Sequence, residues 1–366
     1  MPMKAVVLHG KEDVRIDELD IPTPGPGQVL VRNAYSGICG SDLHAVWAPE
    51  SLGLSHDVPH PITGSTMPQV LGHEFSATVV SLGEGVEGLS VGDNAAVYPG
   101  YGCDKCLACL AGRPNACAIM SSLGLAAEAG GMSEYAVIDA HRLHVLPEGI
   151  DLKMGALVEP MAVAWHAVQR AILTPDSTVL IAGAGPIGIG LFFALKARGI
   201  TKVLVSEPSD ERRALIASFG AKVMNPITAD LQAEVLLMSD GLGADATFDA
   251  AGVAPAFQAC LDALGPTGRL VVVAIHEQPM QVPGLQLNMG EIDIVGAMGY
   301  LPEDFDAVIQ AMADGVYITE GWVSVTDFDG VMDAMEGLRK GQGAKVLVSA
   351  RGLEDTAPAL EAAATA

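Results

Sequence analysis

The hydrophobic positions of this chain follow one pattern in its first part and another in its second. Up to about Ile150, short alternating or β-branched runs are separated by turn signals rich in glycine and proline, and such runs predict strands. The predicted strands are Ala5–Leu8, Val29–Asn33, Ser76–Ser81, Asn94–Tyr98 and Tyr135–Ile138. This part therefore predicts a β-rich domain whose loops carry the polar chemistry.

From about Leu157 onwards, apolar strands alternate with helical segments. A helix with an early proline begins at Glu159, the strand Val179–Ala182 follows, and the alternation continues to the end of the run IDIVGAM. Such alternation predicts βαβ units and a parallel sheet. Beyond about Pro302 the pattern changes to helices and short strands, and residues 357–366 predict a weakly ordered tail.

The length and the change of pattern together predict two domains. A chain of 366 residues exceeds the size at which a single hydrophobic core stops growing. We predict one domain from residues 1–156, completed by residues 300–366, and a dinucleotide-binding domain from residues 157–299. The fold class is therefore α/β, with a β-rich domain and a doubly wound parallel sheet.

The net charge bears on the partners of the protein. With 44 acidic and 20 basic residues the chain carries −24 charges, which repel phosphate backbones and anionic headgroups. We therefore expect neither nucleic acid nor membrane as a partner, although an acidic surface also agrees with a role in solubility alone. The start MPMKAVVLHG lacks the features of a signal peptide, and glycines interrupt the uncharged run 177–195, so we expect a cytoplasmic location.

A glycine-rich turn follows the strand Val179–Ala182 and precedes a helix. Its glycines are Gly183, Gly185 and Gly188, which allow backbone N–H groups to approach a pyrophosphate at the helix N-terminus. Glu207 ends the next strand, where a carboxylate can accept hydrogen bonds from the adenosine ribose. The alternative is a glycine-rich turn of an ordinary α/β domain with a solvated glutamate.

Four of the six cysteines lie within fifteen residues, in the order Cys103, Cys106, Cys109 and Cys117. In a chain expected in a reducing compartment, this clustering favours a metal over disulfides. Four thiolates at this spacing fit a tetrahedral Zn²⁺ with no open position, which is a structural site. An iron–sulfur cluster is the alternative, since thiolates also suit iron.

A second candidate metal site combines Cys39, His73 and a carboxylate from Glu74 or Glu159. A mixed set of sulfur, nitrogen and oxygen ligands leaves one position of zinc open for water or substrate, which is typical of catalytic zinc. Such a zinc acts as a Lewis acid on an alcohol oxygen. Taken singly, each residue also fits an ordinary structural role, as a core cysteine, a turn histidine or a helix-start acid.

Over essentially its whole length the sequence resembles the zinc-dependent medium-chain alcohol dehydrogenases. The segment Gly72–Asp93, the four cysteines, the segment Leu157–Val168 and the glycine-rich turn occur in that family's order. Within the family, CGSDLH at Cys39–His44, HPITG at His60–Gly64 and VEP at Val158–Pro160 are most similar to the 2,3-butanediol and sorbitol dehydrogenase branch.

The resemblance implies a GroES-like catalytic domain, a Rossmann domain and a role for each motif residue. Cys39, His73 and Glu159 would be ligands of a catalytic zinc, and Glu74 would lie behind the metal and exchange onto it; which of the two carboxylates binds at each stage stays open. Asp42 would orient His73, Ser41 would take the proton of the alcohol, and His44 would pass it towards solvent. On the cofactor side the resemblance adds Arg212 near the adenosine and Ile187 near the dinucleotide.

We therefore expect an NAD-dependent oxidoreductase with one catalytic and one structural Zn²⁺, acting on a secondary alcohol or ketone. A vicinal diol or acyloin such as 2,3-butanediol or acetoin is the expected substrate, with a sorbitol-type polyol as the alternative. A non-catalytic zinc-stabilised binding protein is the alternative of a different class. We expect a homodimer or homotetramer, paired through the edge strand Ile292–Ala297. The remaining histidines receive no role in the site, and His166 is interpreted as a packed structural residue.

Overall fold

The structure is a computed structural model, and it describes residues 2–352. The tail predicted at residues 357–366 lies outside the described residues. The strands, in chain order, are β1 Pro2–Gly10, β2 Asp13–Asp20, β3 Gln28–Gly37, β4 Gln69–Val70, β5 Glu74–Leu82, β6 Asn94–Val97, β7 Gly100–Tyr101, β8 Ser121–Ser122, β9 Tyr135–Asp139, β10 Leu143–Val145, β11 Thr178–Ala182, β12 Lys202–Ser206, β13 Lys222–Met224, β14 Ala244–Asp249, β15 Leu264–Val272, β16 Asp293–Gly296, β17 Val323–Thr326 and β18 Lys345–Ser349.

The helices complete the inventory of elements, with single 3₁₀ turns at Pro49–Leu52, Pro114–Ala116 and Ala140–Arg142. The α-helices are α1 Gly40–Trp47, α2 Leu107–Leu110, α3 Leu152–Gly155, α4 Val158–Gln169, α5 Pro186–Ala197, α6 Asp210–Ser218, α7 Leu231–Met238, α8 Ala254–Ala263, α9 Gly284–Gly290, α10 Pro302–Ala313 and α11 Val331–Arg339. No helix among residues 2–352 has the length and hydropathy needed to cross a membrane.

The chain forms two compact units. Of the described residues, the first contains 2–99, 122–143 and 324–352, and the second contains 100–121 and 144–323. Compared with the predicted domain boundaries, the segments 100–121, 144–156 and 300–323 belong to the second unit. The two units reflect how densely residues contact one another. They do not test the predicted domain boundaries, which stay a prediction.

The first unit is built on antiparallel sheets. One sheet has the order β2-β1-β4, and the larger one runs β10-β6-β5-β3-β18-β17, with β9 paired to β3. Each strand predicted in this part of the chain is present: burial alternates along β9 and the first half of β3, whereas β1 and β5 contain runs of consecutive buried residues. The polar strand β2 has no such alternation and was not predicted; it forms because it pairs along the length of β1.

A hydrophobic cluster fixes α1 in the first unit. Ala45 and Val46 of α1 are fully buried against Leu71, and Val331 and Met335 of α11 join the same cluster. Because buried apolar side chains pack closely, the polar residues at the start of α1 take a fixed position relative to the strands. Cys39 is the residue directly before α1, so its position is fixed together with the helix.

The second unit contains a parallel sheet with helices between its strands, as predicted. Its order is β13-β12-β11-β14-β15-β16, and every neighbouring pair is parallel. The strand order reverses between β11 and β14, so ligands are expected at the carboxyl ends of these strands. The buried strand β11 consists of apolar residues after its first threonine, as a strand covered on both faces requires.

Close helix packing orients α4 and α5 in this unit. A Cβ on Gly190 of α5 would lie 2.8 Å from the Cβ of Ala164 on α4, so this position has no room for a larger residue. The contact brings α4 against the helix that follows the glycine-rich turn.

A buried polar network joins α4, α10 and the segment between the last two of the four clustered cysteines. Nδ1 of His166 lies 2.9 Å from Oδ2 of Asp304, whose other oxygen accepts a hydrogen bond from Gln169 at 2.8 Å. Asn115 lies 3.3 Å from Nε2 of His166 and donates to the carbonyl of Met298 at 2.6 Å. Buried polar groups need such partners, because each group left unpaired costs about 1–3 kcal/mol. His166 is thus the packed histidine that the sequence predicted.

Candidate active site

Cys39, His73 and Glu74, here called the Cys39 group, bring together one sulfur, one nitrogen and one oxygen donor. Their ligand atoms lie within 4.8 Å of one another. Cys39 immediately precedes α1, and Glu74 is the first residue of β5, directly after His73. His73 and Glu74 are 5% and 1% exposed. The donor types and their closeness fit zinc, which binds thiolate, imidazole and carboxylate.

Asp42 connects two members of this group. Its Oδ2 accepts a hydrogen bond from the backbone N–H of Cys39 at 2.8 Å. Its Oδ1 lies 3.4 Å from Nδ1 of His73, and both of these atoms are buried without another hydrogen-bond partner. An imidazole that binds a metal through one nitrogen commonly presents the other to a carboxylate. The two orphaned atoms therefore fit a metal bound through Nε2 of His73.

The surroundings of His73 act on its pKa in opposite directions. Burial opposes the charged imidazolium, but the charges of Asp42 and Cys39 outweigh burial and hold the pKa well above its ordinary value. The pocket around the ring thus attracts positive charge strongly. A divalent cation held by the Cys39 group would supply that charge in place of the proton.

Glu74 forms a buried ion pair with Lys345, a residue that sequence reasoning missed. The two side chains are 1% and 3% exposed, and Lys345 also donates to the carbonyl of Ile38 at 3.1 Å. A Cβ on Gly37 would overlap the carboxylate of Glu74 and lie 2.9 Å from Cε of Lys345, so glycine leaves the space that the pair occupies. The sequence signal that could have indicated Lys345 is that it is the single charged residue of the strand sequence KVLVS.

The predicted relay residues lie on α1, beside the Cys39 group. Oγ of Ser41 is 3.9 Å from Sγ of Cys39, which places the hydroxyl next to a ligand atom. His44 lies one helical turn further along and is partly exposed. Glu159 lies in the first turn of α4 with a buried side chain, and it belongs to the second unit.

The four clustered cysteines form a second candidate metal centre. Their sulfur atoms lie within 4.8 Å of one another, and α2 lies between the second and fourth of them. The backbone N–H of Lys105, helped by that of Cys106, lowers the pKa of Cys103 to about 6, whereas partial burial raises the pKa of Cys109 to about 11. Four crowded sulfurs cannot all ionise without a cation, so this arrangement fits a tetrahedral metal.

A cavity of about 640 Å³ lies along the carboxyl ends of β11 and β12. Four of the residues predicted to bind the cofactor line it, namely Gly183, Gly185, Glu207 and Arg212. Gly188 lies outside the lining, and a Cβ there would overlap the carbonyl of Gly183, so it allows α5 to pack on the turn. Ile187 is in the first turn of α5 and is also outside the lining.

Backbone N–H groups fix the carboxylate of Glu207. Oε2 accepts a hydrogen bond from Ala184 and Oε1 accepts one from Ser209, both at 2.9 Å. Arg213 donates to the carbonyl of Glu207 at 2.7 Å and pairs with Asp210, so its guanidinium is already engaged.

Two family models match parts of the chain. Residues 25–148 match the alcohol dehydrogenase GroES-like domain, and residues 186–314 match the zinc-binding dehydrogenase domain.

Named relatives match over almost the full length. The chain is 36% identical to 2-dehydro-3-deoxy-L-galactonate 5-dehydrogenase of Pseudoalteromonas atlantica, over 94% of this chain and 98% of that protein. It is 36% identical to (R,R)-butanediol dehydrogenase of Bacillus subtilis, over 88% and 91% of the two chains. The crystal structure of 2R,3R-butanediol dehydrogenase from Bacillus subtilis superposes with a TM-score of 0.88 at 34% identity, covering 95% of this chain and 99% of the other.

Two further solved structures hold the dinucleotide. An alcohol dehydrogenase of Escherichia coli CFT073, complexed with NADH, is 29% identical with a TM-score of 0.83, over 95% and 99% of the chains. A protein of Sinorhizobium meliloti 1021 bound to NADP is 26% identical with a TM-score of 0.85, over 95% and 99%. The chain therefore belongs to the zinc-dependent medium-chain alcohol dehydrogenase family, in its butanediol and polyol branch, and is an NAD-type alcohol dehydrogenase acting on the CH–OH group.

Proposed function

We propose that this enzyme interconverts a vicinal diol and its acyloin, such as 2,3-butanediol and acetoin, with NAD as the hydride acceptor. The observation that carries the proposal is the Cys39 group, with Asp42 behind it, in a chain similar to a butanediol dehydrogenase. A polyol or sugar acid is the second candidate, because relatives at 31–36% identity include a D-xylulose reductase and the galactonate dehydrogenase.

From the sequence motifs we propose Cys39, His73 and Glu159 as the protein ligands of the catalytic zinc, with Glu74 as an exchanging carboxylate. Bound zinc supplies Lewis acidity, which stabilises negative charge on the oxygen of the alcohol. Ser41 would receive the hydroxyl proton at its Oγ, and His44 would release it towards solvent. The position of Ser41 beside Cys39 and the partial exposure of His44 support this order of transfer.

A panel of alcohols tests the substrate class. With zinc-loaded enzyme and NAD, we expect kcat/KM for one 2,3-butanediol stereoisomer to exceed that for sorbitol and xylitol by about tenfold or more, the effect of roughly 1.4 kcal/mol in the transition state. His73→Ala is the control, because it removes a proposed metal ligand and should be inactive with every alcohol. A higher kcat/KM for a polyol or sugar acid would contradict the diol assignment, and inactivity of the wild type with all of them would contradict the function.

Lys345 has a definable part in this proposal. Without it the carboxylate of Glu74 would be a buried, unpaired charge next to the proposed metal position, and its attraction to the cation would go unopposed. The lysine also holds the carbonyl of Ile38, which precedes Cys39. We infer that Lys345 restrains the carboxylate of Glu74, which would otherwise be a permanent ligand of a zinc held by Cys39 and His73.

A double-mutant cycle tests the pair. Lys345→Met should lower the free energy of unfolding by about 3–5 kcal/mol, because one charge loses its buried partner. Adding Glu74→Gln should recover much of that loss, since both charges are then absent. Denaturant unfolding of the wild type, the two single variants and the double variant gives the coupling free energy between the two side chains. The zinc content of each protein is measured alongside. Additive losses would show that Lys345 only fills space.

We propose that the four cysteines hold a structural zinc. Because such a site is closed, its metal stabilises the local fold rather than taking part in the reaction. The short helix α2 has no buried residue, so this lobe has little apolar core of its own.

Metal analysis with one substitution tests the structural zinc. The wild type should contain two zinc ions, and Cys106→Ser should contain one and unfold at a lower temperature, since metal binding there contributes to folding. Cys260→Ala is the matched control: this cysteine is buried in α8, away from both metal groups, and its loss should leave two ions. Two ions in the Cys106 variant, or iron in the wild type, would contradict the proposal.

Glu207 is proposed to select NAD over NADP. A phosphate at the adenosine ribose would bring a second negative charge towards this nearly buried carboxylate, and NADP would lose hydroxyl hydrogen bonds worth about 1.5–3 kcal/mol each. Together these effects favour NAD by about a hundredfold or more. Arg212 lines the same cavity, and we propose it as the cation that a phosphate there would approach.

Cofactor kinetics test this selection. Glu207→Ser should raise the ratio of kcat/KM for NADP to that for NAD by about tenfold or more, because the repulsive charge is gone. Adding Arg212→Ser should remove most of that gain if the gain comes from attraction between Arg212 and the phosphate of NADP. Both variants lack the hydrogen bond that Ala184 donates to Glu207, so the loss of that bond cannot explain a difference between them. Equal use of both cofactors by the wild type would refute the role of Glu207.

We also propose a cytoplasmic homodimer or homotetramer paired through strand β16. The support for pairing is that β16 stands at the end of the strand order of its sheet, where an unpaired strand edge invites a partner.

A further inference from the structure

An acid and a histidine form a hydrogen-bonded pair where two strands of the parallel sheet end. Asp249 is the last residue of β14 and is fully buried, and its Oδ2 lies 2.7 Å from Nε2 of His276. His276 follows the carboxyl end of β15, and its side chain is 8% exposed. The ring of Phe257 meets the imidazole edge to face, with 6.0 Å between centroids. The mechanism above uses neither member of this pair.

The pair holds one wall of the dinucleotide cavity. Oδ1 of Asp249 accepts hydrogen bonds from the backbone N–H groups of Ala251 and Gly252, both at 3.0 Å. Ala250 and Ala251 line the cavity, and a Cβ on Gly183 would lie 3.2 Å from the carbonyl of Ala250. Asp249 thus fixes the turn that faces the glycine-rich turn. A carboxylate at Asp249 accepts all three of these hydrogen bonds when Nε2 of His276 carries a proton.

The strand order locates this carboxylate relative to the dinucleotide. Glu207 follows β12, on the proposed adenosine side, and a dinucleotide in such a sheet crosses the point where the strand order reverses, between β11 and β14. Its nicotinamide half then belongs to the carboxyl ends of β14 and β15, where Asp249 and His276 lie. The oxidised nicotinamide ring carries a positive charge, and the reduced ring carries none. A buried negative charge on that side attracts only the oxidised form, and low dielectric strengthens the attraction.

We propose that Asp249 and His276 form a cofactor-positioning pair that favours the oxidised dinucleotide over the reduced one. His276 donates a hydrogen bond to the carboxylate of Asp249 and holds its negative charge at this edge of the sheet. The turn at Ala250–Gly252 is bonded to the same carboxylate and lines the cavity, so the position of Asp249 affects the shape of the cavity wall. The proposal rests on the proposed use of NAD, and it concerns binding alone.

Binding of three ligands to the zinc-loaded full-length enzyme tests the proposal. Asp249→Asn preserves the size of the side chain and the oxygen that accepts from Ala251 and Gly252 but removes the charge, and its amide nitrogen donates to Nε2 of the other His276 tautomer. We expect the Kd for NAD⁺ to rise about tenfold, the size of effect expected for one partly screened charge. The Kd values for NADH and for ADP-ribose, which lacks the nicotinamide, should change less than about threefold. Isothermal calorimetry measures all three.

A matched control is present on the same strand. Asp245 lies at the opposite end of β14 and accepts a hydrogen bond from the backbone N–H of Thr178 at 2.7 Å. Asp245→Asn therefore repeats the substitution away from the carboxyl edge, and the ratio of the Kd values for NAD⁺ and NADH should stay within about twofold of the wild type, since a distant exposed charge is screened.

A second site keeps the test open if Asp249→Asn does not fold. His276→Lys places a permanent positive charge beside Asp249 and should weaken NAD⁺ relative to NADH, whereas His276→Gln keeps a neutral donor and should retain the preference. An equal loss for NAD⁺ and NADH would show that the pair only supports the turn, and an unchanged ratio would also overturn the proposal. Absence of any dinucleotide binding in the wild type would refute the proposed function instead.

Discussion

The candidate active site depends on one carboxylate, that of Asp42. One of its oxygens holds the backbone of Cys39 and the other faces the imidazole of His73, so residues far apart in sequence take fixed positions around one point. The carboxylate can do this because α1 begins directly after Cys39 and is held by buried Ala45 and Val46. A hydrophobic contact on one side of a short helix thus sets the geometry of the ligands on the other.

The same region keeps its charges balanced in a place from which water is excluded. The carboxylate of Glu74 is paired with Lys345, whose side chain reaches it through the space left by Gly37. A carboxylate beside a thiol and an imidazole would otherwise be costly to bury. The lysine therefore balances the charge of an acid that lies within 4.8 Å of the other two candidate ligands.

The sequence predicts the parts of the fold and of the site that depend on local pattern. Alternating apolar residues indicated β3 and β5, and the order of strand, glycines, helix and acid indicated the cavity that Glu207 lines. Lys345 could not be paired with Glu74 in advance, because 271 residues separate them and only the neighbouring strands bring them together. The polar strand β2 could not be predicted for the same reason, because it is stabilised by pairing with β1 rather than by its own pattern of apolar residues.

Four of the six buried acids among residues 2–352 share a physical arrangement that a list of motifs does not show. Asp42 faces His73, Glu74 pairs with Lys345, Asp249 with His276 and Asp304 with His166. The chain has 24 more acidic than basic side chains. These four acids are buried, and each lies beside a side-chain nitrogen of a histidine or lysine. Because an unpaired buried charge is strongly destabilising, such pairs persist only where the fold holds both partners in place. All four of these acids lie where a strand or helix begins or ends: Asp42 and Asp304 in the first turns of α1 and α10, Glu74 at the start of β5 and Asp249 at the end of β14. Beside Asp42, Asp249 and Asp304, backbone N–H groups at those ends donate hydrogen bonds to the remaining lone pairs of the carboxylate, which is why the charged chemistry of this enzyme is placed there.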